Sequence, residues 1–141
     1  MFEIVPFKAE HLGVIKLQNM QAHLTEWVTM EEGRGLETHP SYTAMIDGKA
    51  IGAAGIIHMW QGRAQAWAFL TNIGPRHFLK AHNSVKQFLN ACYVQRIEMT
   101  CDTDFPAAHR WAKSLGFHME AERMKHYSPD GRDCSLYVRI R

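Results

Sequence analysis

The stretch of sequence that decides the fold runs from Arg96 to Arg141 and contains AHRWAKSLGF at residues 108–117. It reads in order as a strand, a helix, a strand, a tight turn and a final strand. Asp104 is predicted to cap the helix and Pro106 to lie in its first turn, where a missing N–H is tolerated. Gly116 is predicted to end the helix, because glycine readily adopts the left-handed conformation found there.

The two strands after this helix are predicted to form a hairpin. Residues 117–127 form the first strand, and SPDGR at residues 128–132 supplies the turn. Residues 134–140 place Cys, Leu, Val and Ile at every second position, which is the period of a strand with one buried face.

A second hairpin is indicated upstream by Asp47-Gly48, which lies between apolar runs at residues 42–46 and 50–57. Asp-Gly can adopt the positive φ angles of a type I′ turn, so it is a strong hairpin signal. A further strand at residues 64–71 extends the hairpin to a three-stranded meander. Pro75 then begins a helix that continues to about Cys92.

The N-terminal third is predicted to hold one strand followed by helices. Residues 2–7 alternate as a strand, and the pattern is helical from Lys8 to about Leu24. Residues 27–40 are interrupted by glycine and proline and leave room for a second, short helix. The complete order is βααβββαβαββ.

The chain of 141 residues is predicted to form one domain, residues 1–141, which is large enough to bury a core. No run approaches the roughly 20 apolar residues of a membrane span, and the N-terminus lacks the pattern of a secretion signal. Three widely spaced cysteines favour buried thiols over a disulfide framework. The cytoplasm, a reducing compartment, is therefore the expected location.

Charge is unevenly distributed along the chain. Residues 1–50 carry four Lys or Arg and seven Asp or Glu, residues 51–96 carry five and none, and residues 97–141 carry seven of each. One interpretation is that the middle third is mostly buried, where carboxylates are costly. The other is a positive face for a phosphorylated ligand, beside an acidic wall for an amine.

The order of elements resembles that of the GNAT-type N-acetyltransferases over essentially the whole chain. The Asp-Gly hairpin with IGAAG at residues 51–55 is similar to the family's second and third strands, and LGF at residues 115–117 is similar to its last helix entering the sixth strand. The resemblance implies an α+β fold with a mixed, mostly antiparallel sheet of about seven strands and helices on both faces. It also implies acetyl-CoA as co-substrate and an amine as acceptor.

The resemblance places the cofactor at the end of the fourth strand. The backbone of Phe69, Leu70 and Thr71 is expected to pair with the pantetheine arm. In the family, a glycine-rich loop then holds the pyrophosphate at a helix N-terminus, where amides and the helix dipole favour anions. Gly74 can take the first glycine position of that loop.

This loop departs from the family pattern. Arg76 stands where the second glycine is expected, and Pro75 removes one N–H donor. Either Arg76, helped by His77 or Lys80, binds the phosphates through its side chain, or the anion site is lost and Gly74-Pro75 is only a turn.

Three polar side chains that many family members use are absent. No Asp or Glu occurs between Ile51 and Arg96, a segment that includes the fourth strand and its usual general base. Ala112 stands at the position of a Tyr that protonates the departing thiolate, and Phe105 at that of a common Asn.

Other residues could replace the missing groups. Asp102, just after the fifth strand, and Tyr127, in the last hairpin, are the candidate catalytic residues. Glu26, Glu31 and Glu32 could order a water molecule against the amine. Each has a simpler interpretation: Asp102 as a turn residue, Tyr127 as hairpin packing, and the glutamates as a solvated face. Acetyl transfer also needs little beyond positioning, because the thioester is already activated.

Other kinds of site are set aside. The nine histidines show no His-x-x-x-His and the cysteines no Cys-x-x-Cys, so no metal site is predicted. Arginines with aromatic residues between them suggest nucleic acid, but no nucleic-acid motif is present and the net charge is only +2.

Within the superfamily, the chain is similar to small acetyltransferase-like proteins of tailed phages and prophages. Residues 67–71, 109–117 and 127–133 carry this resemblance. It leaves two classes of function open: an N-acetyltransferase acting on a host or phage amine, and a non-catalytic GNAT domain that contacts virion proteins. The location would then be the host cytoplasm or the virion. An open edge strand would allow pairing with a second copy, as a homodimer.

Overall fold

The computed structural model describes residues 1–15 and 30–141. Within these residues the chain forms seven strands, three α-helices and one 3-10 helix. The strands are β1 (Phe2–Pro6), β2 (Ser41–Ile46), β3 (Lys49–Trp60), β4 (Arg63–Leu70), β5 (Arg96–Asp102), β6 (His118–Met124) and β7 (Cys134–Ile140). The α-helices are α1 (Met30–Glu37), α2 (Pro75–Ala91) and α3 (Pro106–Ser114), and the 3-10 helix is Ala9–Gly13.

The strands form a mixed sheet in the order β1-β2-β3-β4-β5-β7-β6. β1 with β2, β2 with β3, β5 with β7, and β6 with β7 all pair antiparallel. β4 and β5 run parallel, and their pairing extends from Arg63–Arg96 to Gln65–Glu98. The order of elements and the mixed sheet confirm the predicted α+β fold class.

Two predicted turns form with the predicted backbone chemistry. Asp47 and Gly48 have φ angles of 49° and 79°, as a type I′ turn requires. At the end of α3, Gly116 has a φ angle of 90°, and the Phe117 amide donates to the carbonyl of Ala112 at 3.0 Å. That bond satisfies one of the carbonyls left open where the helix stops.

The prediction that Asp104 caps α3 is wrong. Phe105 occupies the cap position, and no side chain among the described residues caps the helix. Asp104 instead donates its backbone N–H to the Asp102 carboxylate at 2.8 Å, so the preceding aspartate holds the turn.

The prediction of a strand from Phe117 to Tyr127 is too long. β6 ends at Met124. His126 adopts a φ angle of 51°, which turns the chain out of the extended conformation two residues later. Tyr127 therefore lies in the connection between β6 and β7.

The first predicted helix, from Lys8 to about Leu24, falls only partly within the described residues. Its beginning, Ala9–Gly13, is a 3-10 helix and not the predicted α-helix, and the remainder lies outside the described residues. His11 Nδ1 accepts the Lys8 N–H at 3.1 Å and lies 2.7 Å from Thr43 Oγ1, which ties this turn to β2. The second, short helix predicted within residues 27–40 is confirmed by α1.

Contacts within the chain define two compact units. Unit 1 comprises Met1–Ile57 and Trp67–Cys92, and unit 2 comprises His58–Ala66 and Tyr93–Arg141. The single domain expected for residues 1–141 stays a prediction.

The core of unit 1 centres on Phe7, Ile15, Ala50 and Ala53. Trp67 packs against this cluster, and its ring centroid lies 5.2 Å from that of Phe7 in an edge arrangement. Such aromatic pairs stabilise a core beyond the area that they bury.

β3 carries two glycines at places where neighbouring atoms leave no room for a side chain. A Cβ atom at Gly55 would lie 2.5 Å from the carbonyl oxygen of Pro40 and 2.8 Å from the Cα atom of Ser41. A Cβ atom at Gly52 would lie 2.6 Å from Cδ1 of Leu70, the tip of a side chain that can move. The IGAAG run therefore serves the close packing of β3 against its neighbours.

Unit 2 contains a buried pair formed by a tyrosine and a histidine. Tyr137 is fully buried, and its hydroxyl oxygen lies 2.6 Å from His109 Nδ1. His109 Nε2 lies 2.9 Å from the carbonyl oxygen of Thr103. A carbonyl oxygen only accepts, so Nε2 carries a proton, and Nδ1 of the neutral ring accepts the tyrosine O–H. The pair fastens α3 to β7.

Glu98 joins the parallel strands β4 and β5. Its carboxylate accepts hydrogen bonds from Arg63 at 2.7 and 2.9 Å and from Arg96 at 2.7 Å. Arg96 also donates to Glu120 in β6 at 3.0 Å. The hydrogen bonds from Arg63, and then those from Arg96, lower the pKa of Glu98 from 4.5 to about 2, against the opposing effect of burial.

Glu98→Gln is expected to reduce the free energy of unfolding by about 1–2 kcal/mol at neutral pH, because charge-assisted bonds from two guanidinium groups are weakened. The folded-state pKa of Glu98 lies below its ordinary value. The stabilisation is therefore complete above a pH of 4.5 and is lost as the pH falls through about 2.

Urea unfolding of both proteins at about pH 7 and about pH 2.5 checks this expectation, and the difference should narrow at the lower pH. Glu122→Gln is the matched control. Its carboxylate is exposed on β6 and forms no ion pair with a described residue, so its effect should stay within about 0.5 kcal/mol. An equal difference between Glu98→Gln and wild type at both pH values would contradict the assignment.

Both outer strands of the sheet carry features that hinder pairing with another strand. β6 has two register shifts within residues 119–124 and exposes Glu120, Glu122 and Arg123. β1 ends at Pro6, which has no N–H to donate. Irregularity, charge and proline are common protections of sheet edges, so the edge-paired homodimer stays a prediction.

None of the described helices is long and apolar enough to cross a membrane.

Candidate functional site

The predicted cofactor segment lies in unit 1, where β4 ends and α2 begins. Phe69 is half-buried, Leu70 is buried, and Thr71 follows directly after the strand. The Thr71 amide donates to the carbonyl of Ile51 in β3 at 3.0 Å, so this end of β4 is fixed on its β3 side. Phe69 and Leu70 have the extended backbone of a strand, as pairing with an arm that carries amide groups requires.

The N-terminus of α2 has the donors of an anion site. Gly74 is the N-cap and Pro75 opens the helix, as predicted. The first hydrogen bond of the helix runs from the Phe78 amide to the Gly74 carbonyl oxygen, at 3.0 Å. The amides of Arg76 and His77 come before it, so they have no acceptor within the helix. A Cβ atom at Gly74 would have nothing within 4 Å, so the space in front of the helix is open. Two backbone donors and an open approach fit an anionic group.

The side chains of this loop are not equivalent. Arg76 is exposed and forms no ion pair with any described residue, so its guanidinium is available to a ligand. His77 is half-buried. The N-terminal ammonium of Met1 is the main cause of the lowered pKa of the Asp47 carboxyl, and His77 lies close enough to that carboxyl to make a smaller contribution. Arg76 is therefore the stronger anion ligand of the two.

The two predicted interpretations of the middle third, which has no carboxylate, both describe part of the molecule. β3 is largely buried, as a segment poor in carboxylates favours. The exposed face of α2 carries Arg76, Lys80 and Lys86 with no acidic residue in the helix, which gives this surface of unit 1 a positive charge.

Asp102 lies at the end of β5 in unit 2, and both of its carboxylate oxygens have partners. Oδ1 accepts the Asp104 amide at 2.8 Å, and Oδ2 accepts a hydrogen bond from Arg132 at 2.8 Å. Its side chain is only 10% exposed. The contacts favour the simpler interpretation of Asp102 as a turn residue, and its role as a base stays a prediction.

Tyr127 lies in the β6–β7 connection with half of its surface exposed. The hydrogen bond to Glu98 is the main cause of the raised pKa of the Arg63 guanidinium, and the Tyr127 phenol lies close enough to make the smallest contribution. The Tyr127 amide donates to the carbonyl of Arg132 at 3.0 Å. The phenol is thus accessible to a substrate, and the acid role stays a prediction.

Arg132 connects the two candidate catalytic residues, and sequence reasoning assigned it only to a turn. Its guanidinium binds Asp102 and Asp130, and its carbonyl accepts the Tyr127 amide. The pair of Arg132 and Asp102 leaves no pattern in the local sequence, because the two residues are thirty positions apart. Only the antiparallel register of β5 with β7 brings them together.

The other sequence candidates are in different surroundings. Ala112, at the position of the family tyrosine, is buried, and Phe105, at that of the asparagine, is the N-cap of α3. Glu31 and Glu32 are exposed in the first turn of α1, and Glu26 lies outside the described residues.

The thiols and histidines show no reactive or metal-binding grouping where the structure describes them. Burial raises the pKa of Cys101 to about 11 and also raises that of Cys134, so both thiols stay protonated at neutral pH. Within residues 1–15 and 30–141, no three His, Cys, Asp or Glu side chains gather closely enough to hold a metal ion.

Solved structures share this fold along the whole chain. Ard1 from Thermoplasma volcanium superposes with a TM-score of 0.80 at 19% identity, covering 99% of this chain and 97% of that one. An N-acetyltransferase from Staphylococcus aureus Mu50 gives 0.76 at 12% identity, with 99% and 97% covered. The ribosomal-protein-S5-alanine acetyltransferase from Vibrio fischeri gives 0.67 at 14% identity, with 99% and 92% covered.

These likenesses identify the fold as the GNAT fold, as the sequence predicts. No family model matches the sequence, and no curated protein matches it. With identities below 20%, the shared property is the fold, and the phage or prophage connection stays a prediction.

Proposed function

We propose that this protein is an acetyl-CoA-dependent N-acetyltransferase that passes the acetyl group directly to an amine, acting in the cytoplasm. The observation that carries the proposal is the N-terminus of α2. Two backbone amides precede the regular helix bonding there, the space beside Gly74 is open and Arg76 is exposed, directly after β4 of a GNAT fold. A nucleotide pyrophosphate is the anion that this combination suits.

The chain's own residues would bind and position the reactants. The backbone of Phe69, Leu70 and Thr71 would align the pantetheine arm, and Arg76 with the amides of Arg76 and His77 would hold the pyrophosphate. When bound, acetyl-CoA supplies an activated acyl group, so alignment with an amine provides most of the acceleration.

Proton transfer would rely little on side chains. β4 offers no carboxylate, and Asp102 is occupied by Arg132 and the Asp104 amide. The acceptor would therefore react as the neutral amine and release its proton to water. Rates should rise with pH up to the pKa of the acceptor amine.

The acceptor class proposed here is an amine on a small molecule or a protein. Two proteins of this fold act on ribosomal proteins: the S5-alanine acetyltransferase, and an acetyl transferase from Salmonella typhimurium that modifies the N-terminal serine of L7/L12. A panel of small amines and of peptides with free N-termini, each tested with acetyl-CoA by measuring the release of free thiol, would define the acceptor.

Arg76→Glu is expected to weaken CoA binding by about 30-fold or more, because it replaces an attractive charge at the pyrophosphate by a repulsive one. Isothermal titration of purified protein with acetyl-CoA and with CoA measures this. Lys86→Glu, the same charge change on the exposed face of α2 further along the helix, is the matched control and should leave the affinity within about 3-fold.

Gly74→Ala separates the backbone contribution from that of the side chain. The new methyl group meets nothing in the protein, so folding should be preserved, but it would occupy the space through which a phosphate approaches the amides. Wild-type protein that fails to bind at millimolar acetyl-CoA, or Arg76→Glu with unchanged affinity, would contradict the proposal.

A non-catalytic GNAT domain is the second candidate, including a phage or virion-associated one that contacts virion proteins. Two observations favour it: both carboxylate oxygens of Asp102 already have partners, and Ala112 carries no acid or base. Absence of cofactor binding in the titration would support this candidate and direct the search toward protein partners.

A further inference from the structure

Trp67 has a buried donor without an acceptor. Its indole Nε1 is the one buried side-chain nitrogen or oxygen, among the residues that the structure describes, with no hydrogen-bond partner. Leaving a buried N–H unpaired costs about 1–3 kcal/mol, and folded proteins contain few such groups. An unpaired donor of this kind calls for an explanation.

The position of Trp67 relates the donor to the cofactor segment. Trp67 lies in β4 of unit 1, two residues before Phe69, and both side chains leave the same face of the strand. Their ring centroids are 5.5 Å apart, and the Trp67 ring also meets the edge of Phe7 at 5.2 Å. The Trp67 side chain is only half-buried, so part of the ring already faces solvent.

The direction of the pantetheine arm brings the thioester toward Trp67. This step rests on the proposed function, in which the pyrophosphate lies at Arg76 and the arm pairs with residues 69–71. An arm that starts at α2 and follows β4 runs back along the strand toward its beginning. Its two amides precede the sulfur, so with this pairing the acetyl group would lie past Phe69, on the side of Trp67, which is about 7 Å further along the strand.

We propose that Trp67 is a catalytic residue, whose indole N–H donates a hydrogen bond to the carbonyl oxygen of the acetyl thioester. The amine nitrogen forms a bond to the carbonyl carbon, and the carbonyl π electrons move onto the oxygen that Trp67 holds. Those electrons then return, the carbon–sulfur bond breaks, the thiolate leaves and the amine proton passes to water. A donor aimed at the oxygen where charge develops accelerates such a step.

To reach the carbonyl oxygen, the indole ring of Trp67 must turn when the thioester binds. The N–H has no hydrogen-bond partner among the described residues, while the Trp67 ring packs against the rings of Phe7 and Phe69. A turn toward the carbonyl would give this buried donor an acceptor.

Nuclear magnetic resonance of protein labelled with 15N in its tryptophan indoles tests the proposal. The chain has four tryptophans, and the Trp67 signal is assigned by its loss in Trp67→Phe, or by elimination with variants of the other three. Acetyl-CoA is expected to move the resonance of the Trp67 indole proton downfield. CoA, which lacks the thioester carbonyl, should leave it in place. The exposed Trp60 indole should respond to neither ligand.

Calorimetric measurement of ligand binding by the same samples distinguishes failure of the Trp67 assignment from failure of the proposed function. If both ligands bind by calorimetry and the Trp67 signal does not distinguish them, the indole does not bind the thioester carbonyl, and this proposal is overturned while the proposed function stands. If neither ligand binds, both fall. Trp67→Phe is further expected to lower the rate of acetyl transfer about 10- to 100-fold while CoA affinity stays within about 3-fold, and an unchanged rate would overturn the assignment.

Discussion

Gly55→Ala is expected to lower the free energy of unfolding by about 3 kcal/mol or more. The added Cβ would lie 2.5 Å from the Pro40 carbonyl oxygen and 2.8 Å from both Cα and Cβ of Ser41. Most of these are backbone atoms, which cannot rotate away as a side chain can. The same Pro40 carbonyl accepts the Ile56 amide at 3.0 Å, so relief of the clash would also weaken a hydrogen bond.

Urea unfolding followed by circular dichroism measures the loss. Gly35→Ala is the matched control, because its Cβ meets nothing within 4 Å and it lies inside α1, where alanine favours the helix by up to about 1 kcal/mol. A Gly55→Ala protein within about 0.5 kcal/mol of wild type would show that the strands separate more easily than their packing indicates.

His109→Leu is expected to cost about 3 kcal/mol, because two groups lose their partner at once. The Tyr137 hydroxyl, fully buried, would have no acceptor at 2.6 Å, and the Thr103 carbonyl would lose its donor at 2.9 Å. Each unpaired buried group costs about 1–3 kcal/mol. α3 should therefore loosen from β7, with faster amide exchange in that helix.

The double variant His109→Leu/Tyr137→Phe distinguishes hydrogen bonding from packing. It removes the orphaned hydroxyl, so it should be more stable than His109→Leu alone by about 1 kcal/mol. His118→Leu, an exposed histidine at the start of β6, is the control and should change stability by less than about 0.5 kcal/mol. A double variant less stable than the single one would refute the hydrogen-bond account.

Local chemistry explains which parts of the fold can be read from the sequence. Asp47-Gly48 and Gly116 occupy backbone positions with positive φ angles, where few residues fit, so each marks its turn unambiguously. Alternation of apolar residues defines β7 in the same way. The end of β6 was missed because His126 takes a left-handed conformation, which is uncommon for residues other than glycine and has no glycine to mark it in the sequence.

Capping of α3 failed as a prediction for a related reason. Asp104 is a good cap by type, but Asp102 already accepts the Asp104 amide, and this turn leaves Phe105 at the cap. The cap propensity of a residue type does not take into account a second carboxylate two residues away that fixes a different turn.

The candidate site was predictable only where it is made of backbone. Gly74 and Pro75 predict where α2 begins, and therefore where its amide donors lie. The Asp102–Arg132 pair and the unpaired Trp67 indole depend on contacts between strands and on core packing, neither of which leaves a local pattern. Catalytic roles for Asp102 and Tyr127 stay predictions for the same reason, since they depend on a substrate pose.

The irregular β6 strand also determines how this molecule behaves when it is crowded. Growth of a fibril requires a straight edge whose amides and carbonyls repeat in register from one copy to the next. β6 breaks that repeat twice within residues 119–124, and its glutamates would repel those of an identical neighbour laid alongside. Concentrated solutions should therefore resist ordered aggregation along this edge, and any self-association there must be built from side chains.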